Sequence, residues 1–234
     1  MDKKEQVPGV NTILHSEGYL LILITYAIGF SLVKYLGGDL DLVSLVLGAV
    51  LCLLVLVMQQ FLHAYFDHPD SLISTLKSDD PEFTLLKRFK RSVLLQYALL
   101  ALSAGAALTL VLVTLKAVTL PVLVFIGVAL VLSFFTAVPP FRLEKQGYGE
   151  LIETLFVTIL VPAIGFSLQQ QGIPRFLVYL TLPVAFVYLA MKIVFSFRRY
   201  AADIALGRKT LVTQLGWQKA LVLHNLLVLG AFIL

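Results

Sequence analysis

The feature that most constrains the fold of this chain is its long stretches without a charged residue. Seven windows of 15 to 25 residues contain no Asp, Glu, Lys or Arg. A helix that spans the bilayer needs about 20 mainly apolar residues, within a range of about 17–25. Because one soluble core cannot bury seven such stretches, the pattern excludes a soluble enzyme, a secreted disulfide-bonded domain and a disordered chain. The windows are 18–33, 42–66, 92–115, 117–141, 154–174, 176–191 and 220–234.

The spans are predicted to be helices, because a backbone group without a hydrogen bond costs several kcal/mol in hydrocarbon. A β-barrel would show strands of alternating polarity, whereas residues 45–55 are apolar on every face. The predicted fold class is therefore an all-α polytopic transmembrane bundle, in one domain over residues 1–234. Breaks or kinks are predicted at Pro139-Pro140, Pro162, Gly165 and Pro183. The predicted spans are 18–36, 42–66, 92–115, 118–138, 150–170, 176–197 and 218–234.

The basic residues are divided unequally between the two sides of these spans. Fourteen Lys and Arg lie on the side of the N-terminus, whereas Lys34, Lys116 and Arg175 lie on the opposite side. The positive-inside rule therefore places the N-terminus and the loops after spans two, four and six in the cytoplasm. We expect an integral protein of the cell (inner) membrane. The net charge of +4 follows from this topology and does not indicate a nucleic-acid partner.

Polar residues gather at the cytoplasmic end of span two. His63 and Asp67 are four residues apart and would share one helix face. An ionisable group at the end of an apolar span is a functional candidate. The alternative, with about equal weight, is a hydrogen-bonded pair at a helix end. Carboxylates at this level suit Mg²⁺, which binds one or two of them together with substrate phosphates.

Two further cytoplasmic segments carry candidate residues. After span six, Asp203 is followed by Gly207 and by the sequence Arg208-Lys209-Thr210. Glycine permits a positive φ, and Arg and Lys neutralise phosphate oxygens, although topology alone also requires basic loops here. After span four, a segment running from Pro139 reaches Glu150, where the helix dipole favours an acid in the first turn of span five.

Together these segments resemble the UbiA superfamily of intramembrane prenyltransferases, and most closely its naphthoate and related quinone-pathway branch. The resemblance lies first in Asp203-x-x-x-Gly207-Arg-Lys-Thr-Leu with a downstream Leu-Gly. It lies also in the Pro-Pro and Gly-x-Gly-Glu segment that enters span five at Glu150, and in Tyr65-Phe66-Asp67 after span two. The order and the spacing of these motifs agree with the family over residues 18–220.

The resemblance implies a membrane enzyme that moves a polyprenyl group from its diphosphate to an aromatic or related lipophilic acceptor. It implies nine helices around a lipid-accessible cavity, with Mg²⁺ held by two Asp-rich motifs. On this basis Asp67 and Asp203 would be the catalytic residues and the Mg²⁺ ligands. The diphosphate would be bound by Arg198, Arg199, Arg208 and Lys209. The supporting residues would be His63, Tyr65, Asp70, Arg142, Glu150, Gly207 and Thr210.

Departures from the family pattern keep a second function open. Ala64 and Arg199 stand where the two motifs normally have their first Asp, so each motif retains one carboxylate that fits the pattern. We also expect the last two family helices to be absent, so that a partner or another copy of the chain would close the cavity if the chain is complete. The alternative function is a non-catalytic isoprenoid- or quinone-binding protein of the same fold. A transporter is disfavoured, because the windows hold few polar residues.

Overall fold

The protein was analysed as a computed structural model, which describes residues 16–72, 86–170, 172 and 174–234. Within these ranges the chain is helical and contains no strand. The helices are α1 (Ser16–Tyr35), α2 (Leu42–Asp67), α3 (Arg91–Thr114), α4 (Leu120–Ala137), α5 (Glu144–Ser167), α6 (Arg175–Leu206), α7 (Leu211–Leu215) and α8 (Trp217–Ile233).

Helices α1 to α6 are long and apolar enough to cross a membrane. They coincide with the first six predicted spans, which confirms the prediction of an integral membrane helix bundle. Large apolar side chains such as Leu100, Leu110 and Phe232 are exposed on the outer faces, as expected for residues that contact lipid. Helix α8 lies at the predicted seventh span and is apolar, with 17 residues. Its passage through the membrane and the cytoplasmic N-terminus stay predictions.

Helix α6 extends beyond the predicted span and corrects the location of three candidate residues. Arg198, Arg199 and Asp203 were placed in a loop after residue 197, but the helix continues to Leu206. Residues 198–206 contain three Ala and neither Gly nor Pro, so helical propensity carries the helix past the end of the apolar window. Gly207 ends it in the left-handed conformation, with φ 70°.

Helix α5 is irregular at the positions of its Gly and Pro residues. Two five-residue π-helical turns, Glu144–Tyr148 and Phe156–Leu160, interrupt it. Gly147, with φ 88°, breaks the first turn, and Pro162 follows the second. Proline lacks the N–H that an α-helix needs, so the wide turn before it accommodates the missing bond. The prediction at Pro162 is thereby confirmed, whereas Pro183 lies inside the continuous helix α6.

The main core forms where α1, α2, α4 and α5 meet. At the crossing of α1 and α5, a Cβ on Gly29 would lie 2.2 Å from the carbonyl oxygen of Pro162. A Cβ on Gly165 would likewise lie 2.9 Å from the carbonyl oxygen of Tyr26. These glycines allow the two backbones to approach closely, as small residues do in membrane helix pairs. Helix α3 packs on α2, and α8 packs on α6.

Candidate functional site

Asp67 ends helix α2, and both of its carboxylate oxygens are bound by cations. Oδ1 accepts a hydrogen bond from the guanidinium of Arg142, and Oδ2 lies 2.7 Å from Nζ of Lys145. Asp67 is only 8% exposed. Because a carboxylate removed from water needs its counter-ions, these ion pairs hold the segment between α4 and α5 against the end of α2.

His63 lies one helical turn before Asp67 and contacts the same segment. Its Nδ1 is 2.8 Å from Oε2 of Glu144, while its Nε2 is buried and has no hydrogen-bond partner. The sequence predicted that His63 and Asp67 share a face, and it offered a pair between them as the alternative. The structure instead gives each of them a partner from residues 142–145. Glu144 and Lys145 were not singled out from the sequence, because their partners lie about 80 residues away.

Tyr65 and Asp70, which lie near Asp67 in the sequence, differ from each other in their surroundings. The guanidinium of Arg91 stacks over the ring of Tyr65, 4.3 Å from its centroid. The side chain of Asp70 is 80% exposed, in the turn after α2. His68 is buried and bonds through Nε2 to the carbonyl oxygen of Phe89, at 2.7 Å. His68 therefore joins this turn to the segment that precedes α3.

The C-terminal end of α6 holds the remaining candidates of the predicted site. Asp203 is buried, at 4% exposure, and its backbone oxygen accepts from the amide of Arg208 at 2.8 Å. Gly207 and Thr210 have backbone roles: Gly207 is the left-handed cap of α6, and the Thr210 hydroxyl caps α7 by accepting from the amide of Thr213. The other three candidates, Arg198, Arg199 and Lys209, are exposed.

Glu150 joins α5 to the end of α6. Its carboxylate accepts from the hydroxyl of Ser196 at 3.2 Å and from the backbone amide of Leu211 at 3.3 Å. The sequence suggested a helix-dipole role for this acid. The structure adds a tie between α5, α6 and the start of α7.

The described residues do not form the Mg²⁺ site that the resemblance implied. Among them, no group of three or more His, Cys, Asp or Glu is arranged to hold a metal ion. The carboxylate of Asp67 forms ion pairs with Arg142 and Lys145. A metal ion at Asp67 would have to displace two cations that already neutralise the carboxylate. The donor set of the described residues therefore does not fit Mg²⁺.

A polar stripe runs along one face of α6. Tyr188, Lys192, Ser196, Arg199 and Asp203 are separated by four, four, three and four residues, the spacing of a single helix face. Two of these side chains contact Glu153 of α5: Nζ of Lys192 lies 2.6 Å from its Oε1, and the Tyr188 hydroxyl donates to the same atom at 2.8 Å. This spacing was present in the sequence but was not recognised there.

An apolar cleft of about 260 Å³ lies between α2, α3 and α4. A smaller void of about 50 Å³ adjoins it and shares the side chains of Met58, Leu102 and Leu130. Phe135, at the other side of the cleft, accepts a backbone hydrogen bond from Leu143 at 3.1 Å. The cleft therefore lies next to the segment that binds Asp67.

Six long apolar helices with a polar cluster at one end define an integral membrane helix bundle. The chain is similar to a solved structure of a UbiA homologue from Archaeoglobus fulgidus bound to DMAPP and Mg²⁺, with a TM-score of 0.67 and 18% identity. The similarity covers 92% of this chain and 72% of that chain. No family model and no curated protein matches the sequence. The similarity confirms a UbiA-like helical fold, whereas the seven membrane spans and the naphthoate branch stay predictions.

Proposed function

We propose that the protein is a membrane prenyltransferase that moves a polyprenyl group from its diphosphate to a lipophilic acceptor, such as an aromatic precursor of a quinone or another prenyl lipid. The observation that carries this proposal is the similarity of fold over 92% of the chain to a protein bound to DMAPP, a prenyl diphosphate. The bilayer supplies both the prenyl donor and the acceptor, which are poorly soluble in water.

The basic residues at the cytoplasmic end support binding of the diphosphate. Arg142 and Lys145 lie at Asp67, and Arg198, Arg199, Arg208 and Lys209 lie at or after the end of α6. When the bond between the prenyl carbon and oxygen breaks, its electron pair stays on the diphosphate. Positive side chains stabilise that developing charge, and Arg does so with two parallel hydrogen bonds.

The prenyl carbon left behind is an allylic cation. The acceptor forms a bond to it and then loses a proton. Apolar walls protect such a cation from water, and the cleft beside the Phe135–Leu143 contact is lined by apolar side chains that suit a prenyl chain. Since the described residues do not fit Mg²⁺, the proposal assigns the stabilisation of the diphosphate to the basic side chains.

The test measures release of diphosphate from purified protein in lipid nanodiscs. Prenyl diphosphates of increasing length are combined with lipophilic phenols and with naphthoates, with and without added Mg²⁺. We expect acceptor-dependent release, reduced at least about tenfold by Arg142→Gln or Lys209→Gln, because each removes a cation from the diphosphate. Arg175→Gln, an exposed charge at the opposite end of α6, is the matched control and should retain full activity.

A specific observation favours a second candidate, binding of the isoprenoid without transfer. Both oxygens of Asp67 are already ion-paired, and Arg199 replaces an Asp of the family pattern. In that case prenyl diphosphates bind with an affinity that EDTA does not change, and no diphosphate is released with any donor or acceptor. This result would contradict the proposed transferase and support a binding protein.

A further inference from the structure

A second polar cluster lies within the bundle, at the middle of α6. Nζ of Lys192 is 2.6 Å from Oε1 of Glu153, and the hydroxyl of Tyr188 donates to that oxygen at 2.8 Å. Lys192 precedes Asp203 by eleven residues, which places it about 16 Å further along the helix. The cluster is thus about three helical turns deeper than Asp203.

This ion pair is partly open. The side chain of Glu153 is 34% exposed and that of Lys192 is 27% exposed. Charged residues within membrane spans are rare and usually face the bundle interior or a polar cavity, where they have a function. An ion pair kept only for stability gains little over apolar residues of the same volume. The open pair therefore points to a ligand with a polar group.

The remaining hydrogen-bonding capacity indicates which polar group fits. Within the described residues, Oε2 of Glu153 accepts no hydrogen bond, and the ammonium of Lys192 has three donors, one of which binds Oε1. The pair has no net charge. It offers one acceptor beside two donors, the arrangement that a neutral hydroxyl needs in order to donate one hydrogen bond and accept another.

The position of the cluster separates it from the diphosphate. The polar stripe of α6 continues from Lys192 through Ser196 to Arg199 and Asp203, and the hydroxyl of Ser196 binds Glu150. Four basic residues lie at the cytoplasmic end of the stripe or just after it. An anionic group is drawn to that end, whereas the neutral Lys192–Glu153 pair favours an uncharged one.

We propose that Glu153, Lys192 and Tyr188 form the acceptor subsite, which binds the hydroxyl of a neutral lipophilic phenol or alcohol. Glu153 accepts the hydrogen bond of that hydroxyl, and Lys192 donates to its oxygen. Tyr188 holds Glu153 in place. This assignment rests on the proposed function, because it assumes that the protein receives a second, lipophilic substrate.

The test is equilibrium binding of tritiated 4-nonylphenol to the full chain in nanodiscs, without a prenyl diphosphate. The methyl ether 4-nonylanisole, which cannot donate a hydrogen bond, is the matched ligand. We expect the phenol to bind at least about tenfold more tightly than the ether, since hydrogen bonds to charged groups are strong. Glu153→Gln should remove most of that preference, because it replaces the charged acceptor of the phenol's hydrogen bond. Lys192→Met should instead weaken the binding of both ligands, since either oxygen can accept from the ammonium. Lys34→Met, which removes an exposed charge at the end of α1, should do neither.

A variant with both changes, Glu153→Gln and Lys192→Met, guards against misfolding because it leaves no unpaired charge. We expect it to melt near the wild-type temperature and to have lost the preference for the phenol. Equal affinity for phenol and ether in the wild type, or an unchanged preference in the double variant, overturns the subsite. Failure of the transferase proposal is recognised separately, as absent diphosphate release, whichever ligand binds here.

Discussion

Asp67 acts as a counter-ion for the segment between α4 and α5. Its two oxygens bind Arg142 and Lys145, and neighbouring His63 binds Glu144, so three consecutive contacts join α2 to residues 142–145. Such a carboxylate positions basic side chains instead of presenting itself to a metal ion. In this chain the retained Asp of the first motif therefore has a structural role that is visible without any ligand.

Asp67→Asn should lower the stability of the bundle by about 3 kcal/mol, because it leaves two half-buried cations without their carboxylate. The measurement is the thermal midpoint in detergent, followed by the fluorescence of Trp217. Asp70→Asn is the control, since the Asp70 side chain is 80% exposed in the same turn. A midpoint equal in Asp67→Asn and in the wild type would show that the ion pairs contribute nothing.

Asp41 caps the start of α2 on the opposite side of the bundle. Its carboxylate accepts from the hydroxyl of Ser44 at 2.5 Å and from the amides of Ser44 and Val43. These hydrogen bonds hold the pKa of Asp41 below its ordinary value of 3.8, and the bond from the Ser44 hydroxyl has the largest effect. Since the folded pKa is lowered, the stabilisation is complete above the unfolded pKa and is lost as the pH falls through the folded pKa.

Asp41→Ala should therefore lower the thermal midpoint at pH 7, whereas Asp41→Asn should retain most of it, because Asn is an equally good N-cap. Below the folded pKa of Asp41, the wild type loses the stabilisation that comes from the charge of this carboxylate. Its thermal midpoint should then approach that of the Asn variant. Melting curves from pH 7 down to a pH below the folded pKa of Asp41 test both statements. An Ala variant as stable as the wild type at pH 7 contradicts the capping role.

At the scale of elements, the close crossing of α1 and α5 holds the bundle together. Gly29 and Gly165 bring the helix backbones into contact beside Pro162, at the irregular turns of α5. Membrane helices associate mainly through close packing. Moving these two backbones apart would therefore lower the stability of the bundle.

Gly29→Ala should destabilise the protein by about 2 kcal/mol, because the added methyl group would lie 2.2 Å from a backbone oxygen, which cannot rotate away. Gly127→Ala in α4 is the matched control, with no atom within 4 Å of the added Cβ. Resistance to thermal unfolding in detergent distinguishes the two. Equal thermal midpoints for the two variants would show that the backbones of α1 and α5 have room for a methyl group at Gly29.

The positions of the membrane helices could be predicted from the sequence where the helices are apolar. Charge-free windows locate α1 to α6, because the hydrocarbon core requires about 20 apolar residues per crossing. The last turns of α6 were missed for the same reason: residues 198–206 are polar enough to lie outside the membrane, yet they continue the helix. The contacts Asp67–Lys145 and His63–Glu144 could not be predicted, since they depend on how distant helices pack.

At the scale of the whole molecule, the distribution of charge predicts one orientation in the membrane. Cys52 is buried in α2, so it gives little background in labelling experiments. Asp39→Cys and Arg88→Cys each place an exposed thiol, on opposite sides of the predicted topology. In vesicles of known sidedness, a membrane-impermeant maleimide should label residue 88 from the cytoplasmic side and residue 39 from the other. Reversed labelling contradicts the cytoplasmic N-terminus.

The continuity of α6 has one more consequence. The helix runs without interruption between Lys192 and Asp203, so these two residues of the polar stripe stay about 16 Å apart. A rigid helix of this kind keeps the distance between the two proposed binding positions constant. Under the proposed assignments, an acceptor whose hydroxyl is bound at Lys192 must extend towards the basic end of α6 to receive the prenyl group. Shorter molecules with the same hydroxyl should therefore bind without being prenylated.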